Sequence, residues 1–137
     1  MKKGIIAVVV IFIVAVGVFV MRDSIFGVSY KDGVYWGEYQ AEDGENTKVT
    51  LTLKDGKIVD CVLEAYDDMG RIKDEKHGSD GSAEDFRRAQ RAVREMKKYP
   101  GMLIEVQDID KLDVIAGASI THRAMQYAVR EALKKAR

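Results

Sequence analysis

The chain is poor in the residues that staple, kink or ligate: it holds one cysteine, one proline and two histidines in 137 positions. A single cysteine excludes an intramolecular disulfide and a cysteine-rich zinc site. His77 and His122 have no second histidine or carboxylate at ligand spacing, which argues against a metal centre. Charge of one sign is lacking too, since 22 basic residues balance 22 acidic ones. Lys2, Lys3 and Arg22 flank an apolar block, and setting them aside leaves 19 basic against 22 acidic residues from Asp23 onward. That balance excludes a polybasic nucleic-acid binder. With 47% apolar residues and a full set of aromatics, the chain is not predominantly disordered. Its length suits one domain with a real core and is too short for two.

The apolar content is concentrated at the start. Gly4 to Met21 contains no charged or amide side chain, and as a helix it would span about 27 Å at roughly 1.5 Å per residue. That nearly matches a hydrocarbon core of about 30 Å. β-Branched residues dominate the block, yet helix is the one conformation in which a lone segment satisfies its backbone in lipid. A cleaved signal peptide is the rival. Ala15-Val16-Gly17 offers a faint cleavage site, but the apolar run continues past it through Val18-Phe19-Val20-Met21. No cysteine follows closely, so lipoprotein processing is excluded. The sequence thus predicts a retained anchor over residues 1–22, a linker over 23–30 and a domain over 31–137. Lys2 and Lys3 place the N-terminus in the cytoplasm and the domain outside it.

The domain reads as α+β, an antiparallel β-meander packed with C-terminal helices. Val34 to Gln40 alternates, with Val34, Trp36 and Glu38 on one face and Tyr35 and Tyr39 on the other. Asp43-Gly44-Glu45-Asn46 marks a turn. Thr47 to Leu53 sends Val49, Leu51 and Leu53 one way and Thr50 and Thr52 the other. Asp55-Gly56 is a hairpin signal, and the return strand to Tyr66 puts Val59, Cys61, Leu63 and Ala65 on the expected core face. Residues 67–81 read as a long polar loop. Ser82 with Asp85 resembles a capping box with Asp for Glu, followed by Phe86, Ala89, Val93, Met96 and Tyr99 at helical spacing. Pro100-Gly101 is expected to end that helix, with a short segment from Met102 to Val106. The last helix turns Ala124, Ala128, Val129 and Leu133 inward and ends in Lys134, Lys135 and Arg137, charges suited to a helix C-terminus.

Most chemistry-bearing residues have a plain reading. Cys61 sits mid-strand on the apolar side, as a small core residue does. Arg87, Arg88, Arg91, Arg94, Lys97 and Lys98 form a basic helix face, read as solvated, with anionic lipid as the sharper alternative. Asp67 and Asp68 are adjacent carboxylates without geometric information. The segment Asp113-Val114-Ile115-Ala116-Gly117-Ala118-Ser119-Ile120-Thr121 differs. A Gly-Ala pair just before a helix lets backbone approach a ligand, and the helix N-terminus offers unpaired N–H groups and partial positive charge. The hydroxyls of Ser119 and Thr121 either cap the helix or contact a phosphate; on the residues alone, capping is the simpler of the two.

Asp113 to Ser119 resembles the flavinylation motif of FMN-binding domains, D-x-x-[ST]-G-A-[ST]. That family includes the C subunit of the sodium-pumping NADH:quinone oxidoreductase, the G subunit of the Rnf complex and many small membrane-anchored or secreted bacterial proteins. Lys31-Asp32-Gly33-Val34-Tyr35-Trp36-Gly37-Glu38 is similar to the family's usual opening, and Thr50 to Ile58 to its central hairpin. Gln107 to Asp113, the motif and the Ala-rich helix are similar to its C-terminal end, so the likeness runs over roughly residues 31–136. It implies FMN held through a phosphoester on the hydroxyl that closes the motif, here Ser119, installed by a separate flavin transferase. Gly117 and Ala118 would clear room for the phosphate, with Asp113, Ala116 and Thr121 completing the site. Ala116 stands where the family usually has Ser or Thr, and Ser119 where Thr is commoner; non-covalent FMN is the fallback. Tyr35, Trp36, Tyr66 and Tyr99 are aromatic candidates for the flavin ring, each also explicable as core. The resulting expectation is an electron carrier between membrane or surface redox partners rather than a self-contained enzyme. A flavin-free interaction or sensor module on the same fold is the alternative.

Overall fold

The computed structural model describes residues 28–137, so the expected membrane helix and most of the linker lie outside the described residues. No helix among the described residues is long and apolar enough to cross a membrane.

Strands β1 (Gly33–Gln40), β2 (Asn46–Lys54) and β3 (Lys57–Tyr66) form one antiparallel sheet in that order. β2 lies in the centre, and its alternation holds: Val49, Leu51 and Leu53 are at most 2% exposed. Asp55 and Gly56 both take positive φ, 52° and 74°, the conformation that a two-residue hairpin turn demands. The return strand departs from simple alternation. Ile58 pairs with Leu53 but Asp60 pairs with Thr52, so Val59 is an extra residue at a bulge. Val59 is therefore 50% exposed, and Ile58 takes the expected core place beside Cys61 and Ala65. Leu63 is half-buried. One inserted residue shifts the faces of a strand, and sequence alternation does not reveal it.

Helix α1 (Ala83–Met96) begins as expected. The Ser82 hydroxyl accepts from the Asp85 N–H at 3.1 Å and donates to the Asp85 carboxylate at 2.7 Å. Its apolar stripe is buried only near the C-terminal end, at Val93 and Met96, while Phe86 and Ala89 are half-buried. Pro100 does not stop a helix here. It lies in the first turn of a second one, α2 (Tyr99–Val106), where the missing N–H has no partner to lose. Gln107 closes α2 at φ 62° and fills the edge of β3. It accepts from the Ile58 N–H at 2.8 Å and donates to the Ile58 carbonyl at 2.7 Å. A short 3-10 turn (Ile109–Lys111) leads to α3 (Ser119–Lys135).

α3 crosses the inner face of the sheet on small residues. Ala124, Ala128 and Ala132 are buried at successive turns, beside Met125 and Val129; Leu133 is half-buried at the rim. The helix backbone comes so close to β1 that a Cβ on Gly37 would stand 1.9 Å from the Ala128 carbonyl oxygen and 2.7 Å from the Ala132 nitrogen. Neither neighbour can move alone, because both are backbone of one packed helix. Gly37→Ala is expected to lower the unfolding free energy by about 1–3 kcal/mol or more, since overpacking displaces a whole element. A urea titration gives the midpoint, and an unchanged one would mean the helix is not seated on Gly37.

Candidate functional site

The motif forms the loop between the 3-10 turn and α3, and one buried side chain shapes it. Tyr99, the first residue of α2, is fully buried. Its hydroxyl accepts from the Ile115 N–H at 3.0 Å and donates to the Ala118 carbonyl at 2.9 Å. Ala116 and Gly117, between those two points, are pushed out to the surface. A second clamp holds the start of the loop: His122 Nε2 lies 2.7 Å from the Leu112 carbonyl. A carbonyl only accepts, so this ring nitrogen carries the proton. The His122 and Tyr99 rings are tilted neighbours at 5.8 Å.

Within this frame Asp113 is exposed, Ala116 and Gly117 are exposed, Ala118 is buried and Thr121 is half-buried. Gly117 has φ 89°, a conformation open to glycine and strained for other residues. Ser119 is exposed as the first residue of α3. The capping expectation is corrected. Ala118 holds the cap position, because its carbonyl already accepts from the His122 N–H at 3.0 Å, and no side chain caps the helix. Ser119 and Thr121 lie inside the first turn, past the place from which a hydroxyl reaches the free N–H groups. The first turn also contains no acidic residue. This N-terminus therefore keeps its partial positive charge and its donors, unlike α1 with Ser82, Glu84 and Asp85.

The aromatic candidates do not gather at the motif. Tyr99 is core and loop clamp. Trp36 is at the other end of α3, where Lys135 Nζ stands 3.6 Å from its ring centre and donates to its carbonyl at 2.7 Å. The sixteen steps from Ser119 to Lys135 span about 24 Å of helix. Tyr35 and Tyr66 are half-buried in the sheet. The sequence reading missed a different pair: Tyr39 and Tyr127 stack at 4.8 Å, with Tyr127 two turns along α3 from Ser119. It also missed Arg91 of α1, since a Cβ on Gly117 would stand 3.4 Å from its Nε. The rest of the basic face is in part neutralised: Arg88 pairs with Glu84, Lys97 with Glu75 and Lys98 with Glu95.

Cys61 is no nucleophile. Burial, with the Asp60 charge adding to it, pushes its thiol up to about 12, so it stays protonated at neutral pH. The loop carboxylates differ as well. Asp67 is held below the usual carboxylate range by the backbone N–H of Arg71 first, then by the Arg71 side chain and the Met69 N–H. It is the organiser of the 67–71 turn.

A family model described as an FMN-binding domain matches residues 44–134, which hold β2, β3, all three helices and the motif. The chain belongs to the FMN-binding domain family. FMN is accordingly its cofactor. The residues present suit that group: an exposed hydroxyl, an uncapped helix N-terminus and a glycine with no side chain are at one spot, and phosphate fits such a place. The fold is shared with a Clostridium perfringens protein of known crystal structure, at 22% identity and a TM-score of 0.62, covering 78% of this chain and 88% of that one. A Clostridium thermocellum protein solved by NMR matches at 27% identity with a TM-score of 0.46, over 77% of this chain and 92% of its own. No curated protein matches the chain significantly.

Tyr99→Phe leaves the Ile115 N–H without its partner and takes from the Ala118 carbonyl one of its two donors, the other being the His122 N–H. The expected cost is about 1–3 kcal/mol, with faster amide exchange at Ile115. Burial raises the Tyr99 pKa above its ordinary value. Its contribution is thus fully present below about pH 10 and lost as pH rises through the raised value. The gap in stability between wild type and Tyr99→Phe should narrow above that pH in denaturant titrations.

Proposed function

We propose that the protein is a membrane-anchored, extracytoplasmic flavoprotein that carries FMN as a phosphoester on Ser119 and relays electrons between redox partners. The observation behind it is the placement of Ser119, an exposed hydroxyl in the first turn of an uncapped helix directly after Gly117 and Ala118. Ser119 Oγ attacks the flavin-side phosphorus of a flavin dinucleotide, the P–O bond of that phosphoanhydride breaks, the nucleoside monophosphate leaves and the hydroxyl proton is released; a flavin transferase is the partner that installs the ester. Flavin supplies the one- or two-electron chemistry, and the protein supplies tethering, orientation and tuning. Ser119 and the next residue, Ile120, 78% exposed, both face solvent, as a relay to partner proteins requires. No substrate cleft is needed for that role.

The test is an asymmetry between two hydroxyls. In protein coexpressed with the transferase, Ser119→Ala is expected to abolish flavin fluorescence that survives denaturation. Its stability should change by no more than about 0.5 kcal/mol, as for a surface substitution. Ser119→Thr should retain attachment, and Thr121→Ala should keep it. Covalent flavin on Ser119→Ala protein that disappears in Thr121→Ala protein would place the ester two residues on.

Anchoring rests on the apolar run from Gly4 to Met21 with Lys2 and Lys3 before it. The expected result is an intact N-terminus in the membrane fraction, released by detergent and not by high salt. A mature N-terminus at Val18 or later would replace the anchor with a cleaved signal.

A further inference from the structure

The geometry points to Arg91 as the side chain that pairs with the FMN phosphate and sets the preference for FMN over phosphate-free flavin. This rests on the reading of Ser119 as the attachment point.

Three observations carry it. Arg91 belongs to α1, not to the motif, yet its Nε, Cζ and Cδ stand 3.4, 3.8 and 3.9 Å from where a Gly117 Cβ would lie. The guanidinium thus faces the positive-φ glycine two residues before Ser119. No carboxylate of the described residues lies within ion-pair distance of it: Glu84 and Asp85 pair with Arg88, and Glu95 holds Lys98 at 2.6 Å. The helix that begins two residues past this glycine has neither side-chain cap nor acid in its first turn. A cation beside a helix N-terminus is repelled by the dipole, so this arrangement favours an anion between the two. A phosphate there would be met by first-turn N–H groups on one side and by a planar, multi-donor guanidinium on the other.

α1 is fixed well enough to present that side chain. Gln90, next in sequence, donates to the Asp74 and His77 carbonyls at 3.1 and 2.9 Å. Gly78 approaches the same helix so closely that its Cβ would stand 2.7 Å from the Ala89 Cβ.

The test uses full-length protein in detergent, produced without transferase and labelled for NMR. On titration with FMN, the Arg91 Nε–H signal and the Ser119, Ile120 and Thr121 amides should shift together. Riboflavin at equal concentration should leave the Arg91 signal in place. Arg91→Met should weaken FMN about tenfold, the worth of one charge-assisted hydrogen bond at the surface, while leaving riboflavin affinity unchanged. Arg91→Lys should recover part of the loss, and Arg88→Met, which removes the same charge elsewhere on α1, should cause none. The proposal is overturned if FMN moves the α3 amides but not Arg91, if it moves none of them, or if Arg91→Met binds FMN like wild type. The underlying reading fails separately, when protein coexpressed with the transferase acquires no flavin at Ser119.

Discussion

The hydroxyl of Tyr99 is the constraint on which the rest of the site depends. It is the polar tip of the largest fully buried side chain, and a buried hydroxyl without partners is costly. Both of its bonds go to the loop of the motif, at Ile115 and Ala118. The core thereby dictates where the loop bulges out and where α3 starts. Placing the cap at Ala118 follows from that, and so does the exposure of Ser119 one residue later. His122 adds a second fixed point at Leu112. Between the two clamps, Gly117 is free to take the positive φ that turns the chain toward α1.

The electrostatics of the two longer helices differ in a way packing alone does not require. α1 begins with a hydroxyl cap and two acids, the arrangement that neutralises a helix N-terminus. α3 begins with none of these and has Arg91 nearby. Local stability would be better served by an Asp or Ser at position 118. The position is instead a small buried alanine next to an exposed hydroxyl, the arrangement that the proposed phosphoester on Ser119 calls for. Membership in the FMN-binding domain family makes FMN the cofactor.

Much of the fold was legible because it rests on local chemistry. The alternation of Val49, Leu51 and Leu53, the Asp55-Gly56 turn and the Ser82 cap each depend on neighbours in sequence, and each holds. What was not legible depends on pairing across elements. Val59 points outward because of a bulge that only strand register defines. Pro100 suits a helix stop and a helix first turn equally well, and only the tertiary position of Tyr99 selects the second. The motif from Asp113 to Ser119 was readable as a loop before a helix, but its cap assignment was not, since that follows from the bond between Tyr99 and Ala118. Arg91 looked like one cation among six on a solvated face. Nothing in its spacing distinguishes it, because its neighbour Gly117 lies on another element.

The central claim is that Ser119 carries the cofactor, and peptide mass spectrometry of native protein coexpressed with flavin transferase reads it most directly. Cleavage after Lys111 and Arg123 isolates Leu112 to Arg123, which contains both Ser119 and Thr121. The account predicts this peptide bearing one FMN by phosphoester, with fragment ions placing it on Ser119. An unmodified Leu112–Arg123 peptide, or fragments that place the flavin on Thr121, would contradict it.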